Sequence, residues 1–392
     1  MTQNADAIIV GGGIMGVNIA LRLAREKLGK VLLLEKTFLG AGSTGKSGAI
    51  LRQHYSHETT IRMARESLLH YRDYHARTGS DIGFQNPGMV FITHERDLQA
   101  MKKNVELQQS LGVQVEILNS EALSDFEPRG QFRPHDIAAW EPEAGYVDPL
   151  RTVYSLAEEA QSAGVEIRTG TLVTDVLISA DQVTGVQTSK GETISAPTVI
   201  NAGGPWAKIL LDRLEIEMPL TVIRPEQAYL EPPADFGKRV AIYGDLINGI
   251  YWKPEDAGWT RVGKLSYEGD AEVNPDDYDE GVSHAFIEFC RMRISRRVPR
   301  YREAVSWGGC GALYTVTPDA HPLIGRVPQI EGLFLVSGFS GHGFKLGPAV
   351  GQGVASLITG SDPGGFDAEF FAVDRFDRGC SVTSSYEYGI LG

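Results

Sequence analysis

Cysteine is scarce, with Cys290, Cys310 and Cys380 the only three in 392 residues. An odd, scattered set cannot build a disulfide framework, and such sparse usage suits a reducing compartment, so a cytoplasmic location is expected. No apolar run is long enough to span a bilayer. Ahead of the first hydrophobic stretch, Met1 to Asp6 carry neither a basic region nor a cleavage-site pattern, so no signal peptide is expected. Positive charge is in deficit: 37 Lys and Arg stand against 50 Asp and Glu, a net charge of −13 that argues against nucleic acid as a partner. The one basic run, Arg291 to Arg297, is expected to be the solvated face of a helix. Metal ligation lacks a pattern as well. His54 and His57 are three apart and His70 and His75 five apart, with no acid or cysteine in ligand spacing beside either pair. A nucleophilic triad is likewise unsupported.

Glycine, by contrast, is abundant at 45 residues, so three glycines at a fixed spacing are expected by chance on the order of once per chain. Gly11, Gly13 and Gly16 gain meaning only from their surroundings. Ala7-Ile8-Ile9-Val10 has the length of a buried strand, and Val17, Ala20, Leu21, Ala24 and Leu28 follow at helical spacing. A second buried strand, Val31 to Leu34, ends in Glu35, 19 residues past Gly16. This order of strand, tight turn, helix, strand and acid is what a dinucleotide fingerprint requires. Small residues admit the pyrophosphate, the helix N-terminus offers free N–H groups, and Glu35 can accept from a ribose hydroxyl.

Further along, Val165-Glu166-Ile167 and Thr171-Leu172-Val173 precede three short strand patterns, Val176 to Ile178, Val183 to Gln187 and Glu192 to Ile194, which predict a β-meander. The next buried run, Thr198 to Ile200, leads into Ala202-Gly203-Gly204-Pro205-Trp206, where small residues allow a ligand to approach the backbone. A second Gly-rich loop, Gly338 to Gly347, lies near the far end. A plain NAD dehydrogenase would continue with βα units; a meander between Rossmann strands and a late return to the nucleotide domain suit a flavin enzyme.

Taken with Gly42-Ser43-Thr44-Gly45-Lys46-Ser47, Ile50-Leu51-Arg52 and Tyr314 to Asp319, these motifs run nearly the length of the chain. It resembles the D-amino-acid oxidase superfamily of FAD enzymes, in particular the sarcosine oxidase, glycine oxidase and dimethylglycine dehydrogenase-like group. The resemblance implies an α/β Rossmann-type FAD-binding domain (1–85, 140–215 and 322–375) interleaved with an α+β, mixed-sheet substrate domain (86–139 and 216–321). Residues 376–392 are polar, lack periodicity and read as a tail. The implied FAD site takes Gly11, Gly13, Ile14, Met15, Gly16, Glu35 and Lys36 from the first motif. It takes Gly42, Ser43, Thr44, Lys46 and Ser47 from the second, and Val173, Ala202, Gly203 and Trp206 from the middle. Gly341, His342, Gly343, Phe344 and Lys345 come from the last loop.

The same resemblance assigns roles. Arg52 and Lys345 match a pair that clamps the substrate carboxylate, Tyr251 matches a pocket residue, and Lys264, in Gly263-Lys264-Leu265-Ser266-Tyr267, matches a lysine that assists the reaction with O2. Monomeric sarcosine oxidases attach the flavin through a cysteine two residues before the Tyr-Thr pair; Ala312 stands there instead. Cys310 lies two residues further back, displaced by about 7 Å at ordinary strand rise, so FAD is expected to be non-covalent. Relatives of the dimethylglycine dehydrogenase kind use a histidine where this chain has Lys46, which leaves His54 as a possible substitute.

The activity implied is oxidation of a small amino acid, N-alkylated or a cyclic secondary amine, by hydride transfer to flavin. It would give an imine, with O2 as acceptor and H2O2 as product. Two alternatives stand beside it. One is a dehydrogenase subunit of a hetero-oligomeric complex that hands electrons to a partner, and the other is a flavin-binding module without turnover. A homo-oligomer is equally open.

Overall fold

The computed structural model describes residues 3–237, 241–255 and 257–383. At its centre Ala7–Val10 lies between Val31–Leu34 and Val199–Asn201, all parallel. Glu166–Arg168 extends the sheet on one side, and Leu333–Ser337 with the antiparallel Leu323–Arg326 extends it on the other. A central parallel strand is covered on both faces, which is why Ala7 to Val10 reads as one continuous apolar run. Alternation sorts its side chains. Ala7, Ile9, Val31 and Leu33 join the cluster built with helices Ile14–Arg25, Pro149–Ser162 and Gly347–Thr359. Ile8, Val10, Leu32 and Leu34 face the meander Val173–Ser179, Gln182–Thr188 and Thr193–Ser195. The meander appears where the short strand patterns predict it.

A mixed sheet of eight strands forms the second body, drawn from residues between Met89 and Glu141 and between Glu226 and Gly311. One expected domain boundary, 139–140, falls inside its strand Asp136–Glu141. Val90, Ile92, Trp252 and Val262 pack under helix His284–Arg297, while Met89 and Phe91 belong to the core of the nucleotide-binding body. The two-residue period therefore gives this sheet an inner face, turned toward the Gly-rich loops, and an outer face beneath the helix.

Two expectations change. Arg297, at the end of the basic run, is buried and binds Asp136 at 2.5 Å and Asp245 at 2.9 Å, because the helix turns that residue inward onto the sheet. Just before the expected tail, Arg375 is wholly buried, its guanidinium reaching Asp319 at 2.9 and 2.8 Å. A single ion pair has no periodicity for sequence reading to detect. The remainder of that tail, 384–392, lies outside the described residues. Among the described residues no helix is long and apolar enough to cross a membrane.

Candidate active site

A cavity of about 650 Å³ runs from the N-terminus of helix Ile14–Arg25 to the last Gly-rich loop. Gly11 has φ +109°, and a Cβ on it would stand 2.5 Å from the Ala202 carbonyl oxygen. At Gly16 a Cβ would stand 1.9 Å from the Gly11 carbonyl oxygen. The turn can thus be this tight only with glycine, and it brings the helix start to the cavity wall, where the Ile14 amide donates to Thr44 Oγ1 at 3.1 Å and the N-cap Gly13 has no side chain to occupy the others. The Gly12 amide donates to Glu35 Oε2 at 2.7 Å, and the Thr37 amide to Glu35 Oε1 at 2.9 Å. Amides of a helix's first turn at one point and an oriented carboxylate at the next are the donor and acceptor set that a dinucleotide's pyrophosphate and ribose need.

Most sequence-expected cofactor residues line this cavity: Gly11, Gly13, Ile14, Met15, Glu35, Lys36, Gly42, Ser43, Thr44, Ser47, Val173, Ala202, Gly203, Trp206, Gly341, Gly343 and Phe344. Four are placed behind the wall. Gly16 packs on the turn, and Lys46 reaches Tyr278 at 2.7 Å and Glu280 at 2.6 Å. His342 is buried against Ala320 and Tyr55, and the Lys345 Nζ donates to the His342 carbonyl at 3.2 Å. One stretch of wall escaped sequence reading: Pro275, Asp276, Asp277, Tyr278 and Glu280, a loop without periodicity or motif. Asp276 accepts from Lys36 at 2.8 Å and from the Trp206 indole at 2.7 Å, closing the cavity rim through residues far apart in sequence.

At the opposite end Tyr314 lines the cavity and bonds both Tyr251 and Tyr267, whose ring stands edge-on to it at 5.1 Å. Burial pushes all three phenols up, so the cluster is neutral at pH 7. Tyr251 thus reaches the cavity through Tyr314. The alternation of strands Ile250–Pro254 and Thr260–Lys264 decides what accompanies it. Trp252 and Val262 face the outer helix, so Tyr251, Lys253, Arg261 and Gly263 face inward. Lys264 shares the parity of Val262 and lies outside the cavity wall, its Nζ 3.0 Å from Asp270. Arg261 takes the inner place instead, binding Glu255 and reaching the Lys46 carbonyl at 3.0 Å.

Arg52 and Lys345 come together from opposite ends of the chain, 8% and 7% exposed. The Arg52 guanidinium lies 4.2 Å from the centre of the Tyr55 ring and donates to the His54 carbonyl. Burial, followed by the charge of Arg52, holds the Lys345 ammonium well below its ordinary value, while Glu141 pulls the other way. The candidate attachment groups stand elsewhere. Ala312 is buried, Cys310 Sγ lies 3.5 Å from the Tyr229 hydroxyl, and His54 stacks on Phe91 at 4.6 Å with Nδ1 on Gln108. Burial, then Arg52, push the His54 imidazole down to about 3.

Comparison with known proteins gives the family of the chain. The family of FAD dependent oxidoreductases (DAO) matches residues 6–357. The chain belongs to that family. Its fold is accordingly of the Rossmann type, and the helix N-terminus and Glu35 fit the FAD that the family binds. It is 28% identical over 390 residues to 4-methylaminobutanoate oxidase (formaldehyde-forming) of Paenarthrobacter nicotinovorans, covering 96% of this chain but only 46% of that protein. The chain spans less than half the length of that relative. With sarcosine oxidase subunit beta of an Arthrobacter species it shares 26% identity, over 96% of this chain and 92% of the relative. Among solved structures, L-proline dehydrogenase from P. horikoshii superposes with a TM-score of 0.87 at 28% identity, covering 97% of this chain and 99% of the other.

Proposed function

We propose that this protein oxidises a small amino acid, an N-alkylated or cyclic secondary amine, to an imine that water then hydrolyses. The observation that carries the reading is the buried Arg52–Lys345 pair. Two cations withdrawn from water beside one carboxylate leave a net positive site, an arrangement that is costly unless an anion completes it. A substrate carboxylate fits that need, with each charge-assisted bond contributing about 1.5–3 kcal/mol. The neutral Tyr251–Tyr314–Tyr267 cluster gives the rest of the substrate a polar wall without a competing charge. FAD, when bound, supplies the acceptor for the hydride equivalent. The residues that would hold it are the turn Gly11 to Met15, Glu35, Gly42 to Thr44, and the loop Gly341 to Phe344. 4-Methylaminobutanoate, sarcosine and proline, in the names of the three similar proteins, are all secondary amines carrying a carboxylate.

The electron acceptor admits a second reading. A lysine that assists O2 works through a charge at the flavin, yet Lys264 points to the outer side of its strand and is neutralised by Asp270. This favours a dehydrogenase that passes electrons to a partner over an oxidase making H2O2.

An anaerobic screen of sarcosine, dimethylglycine, proline, pipecolate, glycine and D-amino acids, followed by loss of the flavin absorbance, tests the substrate class. Bleaching by a secondary amino acid, lost in Arg52→Met and Lys345→Met while FAD stays bound, is the expected result. Unchanged bleaching rates in both variants would refute the clamp. Rapid re-oxidation of the reduced wild type by O2 would restore the oxidase reading.

A further inference from the structure

Strand Asp136–Glu141 brings a carboxylate to the same two cations. Glu141 is 1% exposed. Its Oε1 accepts from the Gln53 amide at 2.6 Å and from Gln53 Nε2 at 3.3 Å. Its Oε2, equally buried, has no hydrogen-bond partner, and neither has Gln53 Oε1. A sealed carboxylate oxygen without a donor is a costly state unless another form of the site uses it. The charge of Glu141 acts on both Arg52 and Lys345.

We propose that Glu141 is the resident counter-ion of the Arg52–Lys345 pair, standing in for a ligand carboxylate and taking up a proton when that ligand binds. The inference rests on the carboxylate-clamp reading above. In the free site, the ionised fraction of Glu141 offsets the buried positive charge of Arg52 and of whatever fraction of Lys345 is protonated. A ligand carboxylate then supplies the missing negative charge and repels that of Glu141, so Glu141 takes a proton from solvent on its unpartnered Oε2.

The free carboxyl is already poised. Burial, the largest cause, pushes it up to about 7, against the hydrogen bonds from Gln53, the charge of Arg52 and the His54 backbone amide. A second negative charge raises it further, so uptake is expected from about pH 7 upward. The other titratable groups facing the cluster are His54, His342, Tyr55 and Lys345. Burial keeps both imidazoles far below pH 7, and it pushes the Tyr55 phenol up to about 12. Lys345 is the one competitor, since a carboxylate would raise its lowered value too.

Glu141 is thus a positioning residue, and the probe is acetate. Wild-type holoenzyme is titrated with acetate by calorimetry near pH 7.5 in buffers of different ionisation enthalpy, which reports protons taken up on binding. A fractional uptake per site in wild type that is lost in Glu141→Gln, where the side-chain oxygen can still accept from Gln53, is the expected result. Absence of uptake in wild type overturns the proposal with no variant needed. Undiminished uptake in Glu141→Gln overturns it too and assigns the proton to Lys345. Arg52→Met and Lys345→Met separate the two layers. If acetate binds both as tightly as wild type, the clamp falls and this inference with it. If both lose acetate but wild type takes up no proton, only the role of Glu141 falls.

Discussion

Replacing Gly16 with alanine sets two opposed effects against each other. In an exposed helix interior the change stabilises by roughly 0.5–1 kcal/mol, because alanine has less backbone freedom to lose. Here the added Cβ would stand 1.9 Å from the Gly11 carbonyl oxygen and 3.3 Å from Ile9 Cγ2. The first contact is more than an ångström inside van der Waals separation. Neither side can yield cheaply, since Gly11 is itself fixed by its amide bond to the Leu34 carbonyl at 2.8 Å. Helix Ile14–Arg25 must therefore move outward, at an overpacking cost of about 1–3 kcal/mol. The same movement carries the amides at its N-terminus away from the cavity. Gly16→Ala is expected to bind FAD at least tenfold more weakly, equivalent to about 1.4 kcal/mol, and to melt below wild type as apoprotein. Flavin fluorescence during reconstitution measures the first, and thermal unfolding without FAD the second. An apoprotein that melts higher and binds FAD as tightly as wild type would show that this turn does not set the approach of helix to strand.

Acid precipitation of the holoenzyme should leave the yellow colour in the supernatant, because Ala312, Cys310 and His54 all stand off the cavity wall; flavin in the pellet would overturn this. Lys264→Met should alter stability by less than about 1 kcal/mol, since its pair with Asp270 is partly exposed. In stopped-flow its re-oxidation by O2 should match wild type, and a selective slowing would place Lys264 at the flavin after all. Arg375→Met should cost about 3–5 kcal/mol in chemical denaturation by leaving the buried Asp319 without its cation. Burial raises the Asp319 carboxyl, but Arg375 and the backbone amides of Val382 and His321 outweigh it and hold it below the ordinary value. The folded value being depressed, this contribution is present above the unfolded carboxyl's range near 4 and is lost as pH falls through the folded value. Wild type should therefore lose more stability than Arg375→Met between about pH 5 and 3.

What could be read from the sequence follows from how local each signal is. The strand Ala7–Val10, the turn Gly11 to Gly16, the helix, the strand Val31–Leu34 and Glu35 follow one another along the chain, so composition and order sufficed to read this part of the fold. The meander was legible for a similar reason, each strand being bounded by its own turn residues. The loop at Asp276 was not, since its place in the cavity wall comes from bonds to Lys36 and Trp206 that no local pattern encodes. Glu141 was invisible too. A lone glutamate at a strand end gives no sign that it will be sealed beside Arg52 and Lys345.

Lys264 is the case in between, because the alternation that sets its face is present in the sequence while the burial that gives that alternation its sense is not. Matching Gly263-Lys264-Leu265 to a relative's motif assigned a role before a face. The residues Thr260, Val262 and Lys264 alternate with Arg261 and Gly263, and Thr260 and Val262 are both fully buried. Once the outer helix covers that side, parity sends Lys264 to it and leaves Arg261 inward, held by Glu255 and by the backbone of the Gly-Ser loop. A motif supplies the identity of a charged residue; the strand's two-residue period decides which ligand that charge can reach. For this chain the inward cations of these two strands, Arg261 and Lys253, both pair with Glu255, and such charges can hold a loop in place without being available to a reduced oxygen species.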